Sequence, residues 1–153
     1  MINNVTLERT NNIKDLGINF DSQVTFNILI SSTVTSAYRT YGFIIRNCNQ
    51  FSIQVLSTLY FSLVRSKLEY GSIVWNPIYD QYKLAIEKVQ KKFIKFLFFK
   101  IDGQYPEKGS SYHLMLEIFK FTSLEKRRTQ LSVLFLYKLL NNKIFLFGTF
   151  IAN

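Results

Sequence analysis

Cysteine is almost missing from this chain of 153 residues. Cys48 stands alone, which excludes an intramolecular disulfide and a cysteine-based metal site and permits a reducing compartment. Histidine is equally scarce, with His113 its one instance, so a histidine-rich metal centre is excluded as well. Two Pro and six Gly rule out collagen-like and low-complexity classes, and the glycines are scattered singly, so no phosphate-cradling Gly-rich loop is present. Long apolar runs are lacking too. The widest charge-free gap, from Asn47 to Val64, is interrupted by Asn49, Gln50, Ser52, Gln54, Ser57, Thr58 and Ser62, whereas a membrane span needs about 20 mostly apolar residues. The N-terminus has no basic stretch followed by an apolar core, so no signal peptide is read there. The expectation is a soluble, intracellular chain, nuclear or cytoplasmic, with no membrane span.

Acidic residues are the last scarcity: ten Asp and Glu stand against 19 Lys and Arg, giving a formal charge of +9. Such a balance points to an anionic partner, nucleic acid before an acidic membrane surface. A second explanation stays open, because the excess of Lys over Arg, with plentiful Phe, Ile, Asn and Tyr, is also what AT-rich coding DNA writes. The ten acids are Glu8, Asp15, Asp21, Glu69, Asp80, Glu87, Asp102, Glu107, Glu117 and Glu125; no two are adjacent. Two-metal phosphoryl transfer needs clustered carboxylates, which this spacing does not supply. His113 reads as a packed or half-exposed residue rather than a base, and Cys48 as a small buried side chain rather than a nucleophile. The expectation is no catalytic residue, no metal site and no cofactor.

What is present is a core. The chain is 48% hydrophobic and 16% aromatic, too apolar for a basic disordered tail, and a chain of this length can bury roughly 70% of its unfolded surface. Period-two alternation marks residues 4–9 and 13–20 as strands of a short hairpin, with Val5 and Leu7 in the first, Leu16, Ile18 and Phe20 in the second, and Thr10-Asn11-Asn12 as the turn. From about Val24 the period becomes helical. A first helix carries Val34, Ala37, Tyr38, Tyr41, Ile44 and Ile45 and ends near Cys48. A second opens with Ser52 as N-cap and a Phe51–Leu56 staple, continues through Leu59, Tyr60, Leu63 and Val64, and stops at Gly71. A third spans about Asp80 to Lys100, a short one Tyr112–Phe119, and a last one opens at Thr122 with Glu125 at capping-box spacing. The fold class expected is mainly α: a short N-terminal β-hairpin followed by a helical bundle of four to five helices.

On the third helix Lys88, Lys91, Lys92 and Lys95 fall at i, i+3, i+4 and i+7, so they share one face, while Ile86, Val89, Phe93, Phe96 and Leu97 occupy the other side. Such a helix can bury its aromatic side and offer four ammonium groups to a phosphate backbone. A merely solvated face would show the same spacing. Lys126, Arg127 and Arg128 form a second basic cluster in the first turn of the last helix, where cations oppose the helix dipole, which hints at an external reason for them.

Four segments coincide with one family. Lys14-Asp15-Leu16-Gly17-Ile18-Asn19-Phe20-Asp21 resembles the K-x-L-G-x-x-F/L-D segment that follows the polymerase palm in non-LTR, jockey-like retrotransposon reverse transcriptases. The block from Tyr60 to Pro77, with Leu63-Val64-Arg65-Ser66, Leu68-Glu69-Tyr70 and Val74-Trp75-Asn76-Pro77, resembles their "LVRSxLEYxSxVWxP". Val89-Gln90-Lys91-Lys92-Phe93 is similar to their "VQxxF" helix, and Ser123 to Arg128 to their "SLExRR" element. Order and spacing fit across nearly the whole chain.

The resemblance implies the C-terminal part of an RNA-directed DNA polymerase: residues 1–22 as a β-hairpin remnant of the palm, 23–101 as a thumb-like helical domain, and 102–153 as a C-terminal helical extension. It implies a template–primer duplex as partner of Lys88, Lys91, Lys92, Lys95, Lys126, Arg127 and Arg128. Trp75 and Tyr70 would fill the core, and Arg65 would pair with Glu69. The family's Asp-Asp palm motif, its fingers and its endonuclease have no counterpart here, and Asn27-Ile28 stands where a His-Ile pair often occurs. The parent polymerase would use Mg, but no position matches its ligands. The resemblance therefore implies a mobile-element fragment that is no enzyme as it stands, with Met1 opening a truncated reading frame or a degenerate element copy. The alternative reading is a small basic helical interaction or membrane-surface module.

Overall fold

A computed structural model describes residues 10–107, 109–141 and 143. The strand expected at 4–9 and the end of the C-terminal extension, 144–153, lie outside the described residues. The chain is mainly α, with a two-stranded hairpin leading into helices.

The hairpin is shorter than the alternation suggested. Strands β1 (Asn12–Asp15) and β2 (Ile18–Asp21) pair antiparallel, with Asn12 opposite Asp21 and Asp15 opposite Ile18. The turn is Leu16-Gly17, not 10–12, and it cuts the strand expected over 13–20. Both turn residues have positive φ, 45° and 81°, as a two-residue hairpin loop of matching twist requires. Gly17 adopts this freely; Leu16 does so at a steric cost, and the Tyr70 hydroxyl donates to its carbonyl at 2.8 Å. On the opposite face, Ile18 is buried and Phe20 meets Phe26 edge-on at 5.6 Å.

Asp21 turns the hairpin into the first helix. Its carboxylate accepts from the Thr25 N–H and hydroxyl, the Gln23 N–H and the Phe26 N–H at 2.8–3.0 Å. These bonds, the Thr25 amide foremost, hold its carboxyl below the usual range. Helix α1 (Asn27–Asn47) then buries Leu29, Ile30, Ala37 and Ile44. Helix α2 (Ile53–Leu59) begins as expected, the Ser52 hydroxyl accepting from the Val55 N–H. It runs on through a π-helical turn (Tyr60–Arg65) into α3 (Ser66–Glu69). The helix ends at Gly71, whose φ of 63° suits a residue without Cβ; an added Cβ would stand 2.7 Å from Ile18 Cδ1. The hairpin is thus seated on the α3 end.

Short helix α4 (Ser72–Trp75) follows. Trp75 is buried as expected, its indole N–H donating to the Tyr70 carbonyl at 2.7 Å, whereas Tyr70 itself is 60% exposed instead of filling the core. Its outward position is what lets its hydroxyl reach the hairpin turn. Helix α5 (Asp80–Asp102) runs through the middle of the bundle, burying Ile86, Val89, Gln90, Phe93, Ile94, Phe96 and Leu97. Helices α6 (Tyr112–Ile118) and α7 (Leu124–Leu140) complete the described fold. One continuous core runs from Ile18 through Tyr60, Phe93 and Leu97 to Leu116 and Leu124, with Tyr60 stacked on Phe93 at 4.2 Å.

Candidate nucleic-acid interface

The lysine face of α5 follows from helical geometry. At about 100° per residue, positions 88, 91, 92 and 95 fall within roughly 100° of arc, opposite the stripe of 86, 89, 93 and 97 that enters the core. Lys88 and Lys92 are exposed; Lys91 and Lys95 are half-buried. None of the four forms an ion pair with a carboxylate among the described residues.

Aromatic rings flank this face. The Lys92 ammonium stands 4.6 Å from the centre of the Tyr38 ring on α1, and that of Lys91 is 5.7 Å from the Tyr112 ring on α6. Tyr41 on α1 donates its hydroxyl to the Lys92 carbonyl at 3.2 Å. Burial pushes the Tyr38 and Tyr41 phenols up, so both stay neutral donors. Lys100, one turn beyond, donates to the Asn49 carbonyl and ties α5 to the loop after α1. The four ammonium groups are therefore mounted on a helix held from both sides, each a compact point charge on a flexible stem.

Beneath the face lies a polar network that sequence reasoning missed. Gln90, fully buried, accepts from the Tyr60 hydroxyl at 3.2 Å and donates to the Tyr112 hydroxyl and the Thr122 carbonyl at 3.1 and 2.9 Å. Tyr112 in turn donates to Glu87 Oε1 at 2.6 Å. Burial, then the Glu87 hydrogen bond and charge, raise the Tyr112 phenol well above its ordinary value. Glu87 also accepts from the Leu124 and Glu125 N–H groups at 3.2 and 3.3 Å, capping α7 from another helix. The local cap is Ser123, which accepts from the Lys126 N–H, so the cap sits one residue beyond the expected Thr122.

The second basic cluster comes apart. Lys126 is exposed. Arg127 pairs with Glu69, Nε to Oε1 at 3.0 Å and Nη2 to Oε2 at 3.1 Å, while Arg65 holds the same Oε1 at 2.9 Å as expected. Arg128 is only 2% exposed, with Nη1 and Nη2 unpartnered among the described residues. Burial pulls its pKa down, and the charges of Glu87, Glu125 and Glu69 push back. Of the three cations that oppose the α7 dipole, Arg127 thus has an internal partner in Glu69 and Arg128 is buried, while Lys126 is exposed.

His113 is exposed and lies 3.4 Å from Glu117 Oε1 on the same helix; Cys48 is half-buried and free. Among the described residues no three His, Cys, Asp or Glu come together as a metal-holding group, and no helix is long and apolar enough to cross a membrane. Compared with protein-family models, with curated proteins and with solved structures, the chain matches none.

Proposed function

We propose that this chain is the thumb and following region of a non-LTR, jockey-like reverse transcriptase, and that it binds a template–primer duplex through the lysine face of α5. One observation carries the binding: Lys88, Lys91, Lys92 and Lys95 stand on one side of a firmly held helix, and among the described residues none of them is ion-paired to a carboxylate. A merely solvated basic helix gains from i, i+4 Glu–Lys pairing; here Glu87, at that spacing before Lys91, gives its carboxylate to Tyr112 and the Leu124 and Glu125 amides instead. The family reading rests on the four sequence segments. They fall on the hairpin, on the run from the π-helical turn to Pro77, on α5 and on the start of α7. In this reading Lys126 is an outlying contact, Arg127 pairs with Glu69 within the fold, and Arg128 is buried away from any duplex.

The polymerase carboxylates have no counterpart among the ten acids, so the proposal includes no polymerase activity for these 153 residues. Primer extension above background by the chain alone would overturn that part. The test of binding is Lys91→Glu with Lys92→Glu, measured against a fluorescent primer–template duplex with helicity followed by circular dichroism. Affinity should fall at least tenfold with helicity intact. Unchanged affinity in a folded variant would overturn the interface, and Lys88→Glu, at an exposed site, repeats the test should the double variant lose helicity.

A second reading, a basic helical interaction or membrane-surface module, is favoured by α7. Val133, Leu134 and Tyr137 are exposed there and line a shallow recess with Lys126, Thr129 and Gln130. Binding to anionic vesicles that exceeds binding to duplex at equal salt would favour it.

A further inference from the structure

On the side of α1 turned away from α5 lies an open cleft of about 460 Å³, bounded on its other side by the hairpin. Its polar lining is Lys14 and Asn19 from the hairpin, Ser32, Thr33 and Ser36 from α1, and Lys67 from α3. Gly17, Leu29 and Tyr70 complete it, and no carboxylate lines it. Lys14 and Asn19 are cross-strand partners, so both project from the same face of the hairpin, whereas Asp15, the next residue, projects from the other. Asp21 is occupied by its four hydrogen bonds to residues 23–26.

Lys67 is held in position by neutral groups. Its ammonium donates to Thr40 Oγ1 at 2.7 Å and reaches Ser36 Oγ at 3.5 Å. These bonds fix the ammonium over α1 while leaving its charge uncompensated and a third donor free. Across the cleft Lys14 likewise has no carboxylate partner among the described residues. Tyr70, whose hydroxyl is bonded to the Leu16 carbonyl, pins the hairpin at this distance from α1. Ser32 gives its hydroxyl hydrogen to the Leu29 carbonyl at 2.9 Å, but two ammonium groups, the Thr33 and Ser36 hydroxyls and an amide around a space of this size still make a set dominated by donors and cations. An oxyanion with several acceptor oxygens satisfies it; a neutral or cationic ligand does not.

We infer that this cleft is a binding site for a phosphate group, held between Lys14 and Lys67 against the α1 hydroxyls. It is separate from the lysine face, because Ser36 and Tyr38 point to opposite sides of α1, about 200° apart. The inference does not rest on the proposed polymerase origin. The volume leaves room beyond the phosphate itself, so the group comes either as the free ion or as the phosphate of a nucleotide.

The test is calorimetric titration of the full chain at constant ionic strength with inorganic phosphate, adenosine 5′-monophosphate and adenosine. Phosphate and the monophosphate should each bind at one site and adenosine should not. Tighter binding of the monophosphate identifies a nucleotide as the source, and equal binding identifies the free ion. Lys14→Gln and Lys67→Gln should each weaken binding about tenfold, the loss of one charge-assisted hydrogen bond. Lys88→Gln with Lys92→Gln should leave it within about twofold. No binding at millimolar phosphate, binding indifferent to Lys14 and Lys67, or adenosine binding as well as its monophosphate would each overturn the site. Both lysines are exposed, and melting curves verify that the variants remain folded.

Discussion

Glu69 and Arg127 meet fork to fork across 58 residues of sequence, with both carboxylate oxygens accepting from the guanidinium at 3.0 and 3.1 Å. The pair joins the end of the long second helix to the first turn of α7. The Glu69 side chain is only 14% exposed, so solvent screens the contact little.

Removing the acid leaves two arginines facing each other. Glu69→Gln should cost about 2–3 kcal/mol in denaturant unfolding, the range for charged hydrogen bonds that lose a partner. Burial pushes the Glu69 carboxyl up, but hydrogen bonds from Arg127 and the charges of Arg65 and Arg127 outweigh it and hold it below 4.5. A depressed folded-state pKa gives stability that is full above the unfolded value and is lost as pH falls through the folded one. The gap between wild type and Glu69→Gln should therefore be constant at neutral pH and close as the pH falls through the lowered pKa of the Glu69 carboxyl. A gap that widens on acidification would refute this.

Arg128 presents the opposite case, a buried guanidinium whose two Nη groups lack partners. Arg128→Met keeps much of the volume and removes the desolvated charge, so stability should hold or rise by about 1 kcal/mol or more. Duplex affinity should stay the same. A clear drop in melting temperature, or in affinity with stability intact, would show that Arg128 works as a charge.

Glu87 supplies acceptors to three donors on two other helices. Glu87→Ala should cost about 1–2 kcal/mol, comparable to deleting a strong N-cap. Hydrogen exchange at the Leu124 and Glu125 amides should accelerate more than at the α1 amides. Equal acceleration everywhere would mean that the carboxylate is not a local cap.

What the sequence disclosed was the local chemistry. Ser52 could be read because the cap, the Val55 N–H it accepts from and the first turn of the helix it serves lie within four residues. The α5 lysines could be read because one helix fixes their relative direction. Leu16 misled because it continues the alternation of Ile18 and Phe20, yet it is 80% exposed in the turn, and only the Gly17 beside it signals the reversal. Thr122 and Ser123 are adjacent hydroxyl residues of similar capping strength, and the choice between them accompanies contacts from Glu87 and Gln90, more than thirty residues away. The direction of Arg127 and Arg128 likewise depends on where α3, α4 and α5 lie around α7. That is information the local pattern does not contain.

The lysine face of α5 is tested most directly by the salt dependence of duplex binding. Anisotropy titrations of a labelled primer–template at several salt concentrations should give a log–log slope of about −3 to −4, one counterion for each of four lysines. In Lys91→Glu with Lys92→Glu the slope should shrink by about two. Affinity that ignores salt, or no binding even at low salt, would contradict the assignment.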